Sequence, residues 1–303
     1  MLGAKATASI PRRKVRLSWD DKIFYLVINV FVAFITLSVI FPIMHVLAAS
    51  FSSGVDVMAG RVLIWPVNFS LEGYRLVFSN NTILLGYMNT IIYTVSGTII
   101  NLILTSFAAY ALSRNNIPFM NVFMFFFVLS MMVNAGMVAN FITMRNYGRL
   151  DTRAVMVLPG AISITNLIIM RTFFRNVPGE LLEASKIDGC SDIRYFFTIL
   201  LPLSKAVIAV MILFYAESHW NQFFRALLFI FNRDLIPLQI VLREILIMGS
   251  MLDPDPEAAA EIRQGFELLR YCLIVVASVP IIMIYPLVQK HFVKGVMIGS
   301  VKG

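Results

Sequence analysis

The sequence predicts an all-α membrane protein with six crossing helices, and three observations predict it. Hydrophobic residues make up 59% of the 303 and charged residues only 14%, with a mean hydropathy of +0.81; soluble domains run near about 45–50% apolar and about 25% charged. Apolar runs of about 20 residues recur along the chain, each enough to cross a hydrocarbon core about 30 Å thick. The net charge of +8 and pI of 9.6 would also suit a nucleic-acid binder, but Lys and Arg are scattered between the apolar runs and form no patch interleaved with exposed aromatics. The basic excess is therefore read as a topology signal. Cys190 and Cys272 are too few and too far apart for a disulfide framework or a metal cluster.

Residues 1–22 form a tail carrying Arg12-Arg13-Lys14-Val15-Arg16. The first apolar run, Ile23–Val46, is followed by Ala48-Ala49-Ser50, so a signal peptide is the alternative reading. A cleaved apolar region is about 7–15 residues long, shorter than this one, so the first helix is expected to be retained. The second run, Ile83–Leu112, is longer than a bilayer needs and must tilt or project beyond the lipid. Ile117–Val138, Ala154–Phe174, Ala206–Phe231 and Leu268–Val293 complete the six in one transmembrane domain, 23–293, and 294–303 form a second tail. Pro42, Pro159, Pro280 and Pro286 fall within or at the ends of runs, where kinks are expected and not breaks, because neighbours in a membrane bundle re-satisfy freed backbone groups.

Orientation follows from the positive-inside rule. With the N-terminus inside, the larger share of the 25 Lys and Arg falls on that side, among them Arg114, Arg171, Arg175, Lys186, Arg194, Lys205, Lys290 and Lys294. Arg145, Arg149 and Arg153, around Asp151, oppose this placement. The basic cluster before the first span usually dominates, so both termini are expected to be cytoplasmic.

Between the fourth and fifth runs, Pro178 suits a helix start, Glu180 and Glu183 suit its positive end, and Gly189 suits a left-handed stop. Ser191 can cap a second short helix running toward Pro202. Leu181, Ala184 and Ser185 lie three to four apart and give a narrow stripe that could seat in a groove of another protein. From periodicity alone, an amphipathic loop lying on the membrane is an equal reading. Glu183-Ala184-Ser185, then Gly189, then nine residues, then Ile199-Leu200-Leu201-Pro202 resembles the "EAA, three residues, G, nine residues, I, any, L, P" loop of ABC-importer permeases. Ser185 stands where that family usually has a second Ala, one small residue for another.

The resemblance extends over nearly the whole chain to the maltose-type, MalG-like carbohydrate permeases. It is carried by Trp65-Pro66, Gly73-Tyr74, Met88-Asn89-Thr90, Ala108-Ala109-Tyr110-Ala111-Leu112-Ser113-Arg114, Ile187-Asp188-Gly189, Trp220-Asn221, Phe292-Val293-Lys294-Gly295 and Gly299-Ser300-Val301-Lys302-Gly303. Pro237-Leu238-Gln239 and the long insert before the sixth run are similar to the subgroup handling complex or acidic oligosaccharides. What the resemblance implies is an ABC type I importer permease fold in a bacterial cytoplasmic membrane. A second homologous permease, two ATPase subunits and an extracellular binding protein would complete the machine, with membrane lipid around it and an oligosaccharide as cargo. It further implies that Glu183, Ala184, Ser185, Asp188 and Gly189 form the coupling helix, within a coupling loop 178–202. No G-x-x-x-x-G-K-[ST] loop is present, so ATP and Mg are expected on the partner ATPase and no cofactor on this chain.

Ionisable groups at membrane depth are costly and usually face a pathway. Glu217, His219, Asn221 and Gln222 surround Trp220 and read as a polar and aromatic wall facing sugar, or alternatively as interhelical glue or an interfacial belt. For Asn89, Thr90, Asn101 and Asn166 helix packing is the expectation. His219 and Glu217 are only two apart and point to different faces, and His45 and His291 belong to no H-E-x-x-H or comparable set. Catalysis, metal binding and proton coupling are therefore not expected. Asp253, Asp255, Glu257 and Glu261 form an acidic outer loop, which by resemblance receives the binding protein or is simply solvated. Such a loop does not suit direct contact with a polyanionic sugar. The rival class, an ion-driven secondary sugar transporter, often shows inverted repeats with broken helices, and no such symmetry is visible.

Overall fold

The computed structural model describes residues 18–114, 118–133, 135–251 and 258–300. The cluster Arg12–Arg16, the acidic residues Asp253, Asp255, Glu257 and Glu261, His291 and the C-terminal motifs lie outside the residues whose side chains are described. Among the described residues the regular structure is helical. In order these are α1 (Trp19–Ser50), α2 (Gly54–Met58), α3 (Glu72–Ser79), α4 (Asn81–Ser113), α5 (Met120–Met132), α6 (Gly136–Asn146), α7 (Arg153–Val157) and α8 (Ile164–Arg175). There follow α9 (Gly179–Ile187), α10 (Asp192–Tyr195), a π-helical turn Phe196–Leu200, α11 (Leu201–Leu203), α12 (Lys205–Trp220), α13 (Phe224–Phe229), a 3-10 turn Arg233–Leu235, α14 (Leu238–Met251) and α15 (Ala258–Ser300).

Helix α4 is the axis. Its 33 residues at about 1.5 Å each make it about 50 Å long. Asn80 caps it by accepting from the Thr82 and Ile83 N–H groups at 2.9 and 3.3 Å. Gly86, Asn89, Thr90, Tyr93, Thr94, Gly97, Thr98, Asn101 and Thr105 are buried along it, a three-and-four spacing that makes one face. Small and polar side chains on that face let α8, α12 and α14 approach closely and supply hydrogen bonds where hydrophobicity cannot drive association. Thus Asn89 Nδ2 donates to the Asp234 and Ile236 carbonyls at 2.8 and 3.1 Å, the Thr90 hydroxyl accepts from the Leu238 N–H at 2.8 Å, and Thr105 and Tyr215 share a hydroxyl bond of 2.6 Å. These asparagines and threonines pack helices together. Ile83 and Tyr93 sit in one apolar core with Met156, Phe229, Leu238 and Leu273, whereas Ala109 sits in a second with Leu167, Phe174, Phe196 and Met211.

The six runs do not fold as six straight helices. Helix α1, α4 and the Gln264–Pro286 part of α15 are each long and apolar enough to cross a membrane. Pro42, Pro280 and Pro286 lie inside these continuous helices. The other three runs are interrupted. Residues 117–138 divide at Val133, before Gly136 with φ +77°. Residues 154–174 break between α7 and α8, where Pro159 lacks an N–H and Gly160 has φ +69°, so a break replaces the expected kink. Residues 206–231 stop at Trp220 and resume as α13, and a bend of 84° precedes α12. Non-helical backbone at that depth is tolerated only inside protein or beside a watery cavity.

Helix α1 stands apart, since every described residue from Ser18 to Ile43 is exposed and only Ala48, Ala49 and Ser50 are buried. Beyond it, a loop is built around Asp56, which accepts from Ser53 Oγ at 2.6 Å, Asn68 Nδ2 at 2.7 Å and Arg61 Nη1 at 3.2 Å. These donors and the Arg61 charge hold the Asp56 carboxyl below its ordinary pKa, the Ser53 bond foremost. Tyr74 ties the loop to α1 through a 2.9 Å bond with Ser50, and Gly73 lies close against Cys272 of α15.

Candidate coupling segment and translocation path

Helix α9 begins after Pro178, carries Glu180 in its first turn and Lys186 in its last, and so complements its own dipole at both ends. It stops at a Schellman arrangement: the Gly189 N–H bonds the Lys186 carbonyl at 3.0 Å and the Cys190 N–H bonds the Ser185 carbonyl at 2.9 Å. Gly189 takes φ +74°, which any Cβ would strain. Ser191 then caps α10 by accepting from the Arg194 N–H at 3.3 Å. The helix, turn and helix expected of this stretch are all present, continued by the π-helical turn to Pro202.

Glu183, Ala184, Asp188 and Gly189 are exposed, and Ile187 and Ile193 stand out at 86% and 71% exposure. Ser185 corrects the expected stripe. It is buried, and its hydroxyl donates to the Leu182 carbonyl at 2.7 Å. Leu182 and Cys190 pack against the core of Phe174 and Tyr195, so the face bearing Leu182 and Ser185 is turned inward. The outward face is Glu183, Ala184 and Ile187.

The segment is fastened to the end of α4. Arg114, immediately after α4, donates from Nη2 to Asp192 Oδ1 at 2.9 Å and to the Tyr110 hydroxyl. The same guanidinium lies 4.3 Å from the Tyr110 ring centre and 5.4 Å from that of Tyr195. Tyr110 in turn donates to the Asp192 carbonyl at 3.1 Å. A cavity of about 460 Å³ opens between these groups and α9, with Arg175, Glu183 and Lys186 on its wall.

The five candidate path residues divide. Trp220 is 4% exposed, donates its indole N–H to the Ala277 carbonyl at 2.9 Å and meets the Tyr87 ring edge-on. His219 is equally buried, with one ring nitrogen 3.0 Å from the Asn101 amide and the other 2.7 Å from Gln222 Nε2. Gly97 makes room for that ring, which a Cβ would overlap. Trp220, His219 and Gln222 are thus tied to groups of the chain itself, Gln222 from a half-buried position. Glu217 and Asn221 remain exposed, joined by a 2.8 Å bond from Asn221 Nδ2.

Arg225 was missed by the sequence reading, although it is an ionisable residue within an apolar run. It follows the interruption after Trp220 and donates to the Met156 carbonyl at 3.1 Å, capping the end of α7 at the second interruption. The Arg114–Asp192 contact was missed as well, since residues 78 apart in sequence leave no local signal.

A family model described as binding-protein-dependent transport system inner membrane component matches residues 101–298. A polygalacturonan/rhamnogalacturonan transport system permease protein, YtcP of Bacillus subtilis (strain 168), is 37% identical over 284 residues, covering 93% of this chain and 99% of that protein. Protein LplC of the same organism is 39% identical over 264 residues, 87% of this chain and 90% of that one. A chain from the crystal structure of a bacterial ABC transporter involved in import of the acidic polysaccharide alginate superposes with a TM-score of 0.84 at 33% identity, over 91% of this chain and 99% of that chain. With its apolar helices, its fold and its 178–202 loop, the chain belongs to the family of binding-protein-dependent transport system inner membrane components, the permeases of ABC importers.

Proposed function

We propose that this chain forms half of the translocation path of an ATP-driven importer for an acidic oligosaccharide. A second, similar permease supplies the other half, two ATPase subunits bind ATP and Mg, and an extracellular binding protein delivers the sugar. The observation that carries the reading is α9 itself, with Leu182 packed on the core and Ser185 buried while Glu183, Ala184 and Ile187 stay uncovered at the end of the bundle. An exposed acidic and apolar helix face is suited to a cleft on a partner protein. The acidic cargo is supported by relatives named for polygalacturonan and rhamnogalacturonan transport and for import of the acidic polysaccharide alginate. Exposed Glu217 and Asn221 are then the groups assigned to the path, and the distribution of Lys and Arg along the sequence supports cytoplasmic termini.

The test is uptake and ATP hydrolysis by the complex reconstituted in vesicles. Gly189→Val forces a β-branched residue into φ +74°, a strain of about 1–2 kcal/mol, and re-aims α9. Hydrolysis should continue while uptake of an acidic oligosaccharide is lost. Uptake at the normal rate would overturn the coupling assignment, and a neutral sugar stimulating hydrolysis better than an acidic one would overturn the cargo.

A further inference from the structure

Movement of α9 can do work on the path only if it reaches a helix that crosses the membrane. The chain leads from α9 through Gly189, whose φ of +74° makes a tight turn, to α10. At the first residue of α10, Asp192, the segment meets the end of α4 through Arg114 at 2.9 Å. The contact is more than an ion pair. The guanidinium lies against both the Tyr110 and the Tyr195 rings, at 4.3 and 5.4 Å, beside the stack these two rings make with each other at 6.5 Å, and the Tyr110 hydroxyl bonds both Arg114 and the Asp192 carbonyl. The Arg114 side chain is 17% exposed while that of Asp192 is 60% exposed, so the arginine is the fixed, walled partner and the aspartate the one that can be drawn away. A planar group held on two rings and aimed at a carboxylate resists displacement in several directions, which a lone surface pair does not. Helix α4 is also the element that carries Asn101 and Gly97, the partners of His219 beside the exposed Glu217–Asn221 face. Force delivered at Arg114 is therefore delivered to the helix that shapes the candidate path.

We propose that Arg114 is a positioning residue for energy coupling: held against the Tyr110 and Tyr195 rings and paired with Asp192, it fastens the coupling segment to α4 so that the displacement of α9 moves the path. The inference rests on the reading of 178–202 as the coupling segment. Only α4 has such a fastening among the described ion pairs of that segment.

The experiment measures sugar transported per ATP hydrolysed by the assembled complex in vesicles, for Arg114→Ala, Asp192→Asn and the double variant, with Gly189→Val alongside. Arg114→Ala should lower the ratio by about tenfold, within the range of ordinary coupling energies. Asp192→Asn keeps the start of α10 and should lower the ratio less, and the double variant should be no worse than Arg114→Ala, because both remove one linkage. If Arg114→Ala fails to assemble, Asp192→Asn decides alone: a reduced ratio in an assembled complex supports the linkage, and an unchanged ratio overturns it. A normal ratio in assembled Arg114→Ala, or losses that simply multiply in the double variant, also overturns it. If Gly189→Val leaves the ratio intact, the coupling-segment reading itself is wrong; if Gly189→Val uncouples while the 114 and 192 variants do not, only the role of Arg114 falls.

Discussion

A missing carbon at Gly97 lets His219 lie against α4 with both ring nitrogens engaged, one toward Asn101 and one toward Gln222. Even the smallest side chain at 97 would meet the ring itself, not the far end of a flexible chain. Gly97→Ala should therefore destabilise the complex by about 1–3 kcal/mol, the ordinary range for overpacking. Thermal unfolding of the purified complex checks this, and an unchanged midpoint would mean that α4 and α12 separate freely. The sequence singles out His219, Trp220 and Gln222 as polar groups within an apolar run, but composition cannot say which way a side chain turns. Trp220 turns inward because the Ala277 carbonyl is there to accept its N–H. Ser185 likewise shares a small-residue stripe with its neighbour Ala184 in the sequence, and only the burial of Ser185 separates them.

Among the elements, those legible in advance were the ones with local causes. Pro178, Gly189 and Ser191 mark the limits of α9 and α10 because their chemistry acts on their own backbone. The interruptions after Met132, at 158–163 and at 221–223 escaped the reading because hydropathy averages over a window and a Pro-Gly step changes that average little. Their stability depends on distant groups such as Arg225 at the Met156 carbonyl. The Asp56 loop is a local element whose pH response follows from its bonds. Its carboxyl is held below the ordinary value by Ser53, Asn68 and Arg61, so its stabilising effect is complete above the ordinary aspartate pKa of about 3.9 and lost as pH falls through the lowered folded value. Hydrogen exchange over residues 52–70 should stay slow down to the ordinary value and quicken only below it, with Asp56→Asn fast throughout. A loop that loosens near neutrality would point to a different group.

For the whole molecule, the charge distribution still predicts the orientation. Fluorescent reporters that mature only in the cytoplasm should shine when fused to either terminus, and a dark fusion at one end would require an odd number of crossings. Six apolar runs were legible from composition, whereas their division into straight and interrupted spans was not, because the broken runs pack on elements distant in sequence, α7 on α4 and α13, and α5 on α8. Helix α1 differs from all of these. It is gripped at Ala48, Ala49 and Ser50, while the stretch from Ser18 to Ile43 buries nothing within the chain. Within this chain it is thus held at one end. Along that length the neighbours of α1 have to come from outside the chain, from lipid or from a second permease, so the tilt of α1 is set by its surroundings and not by packing on α4.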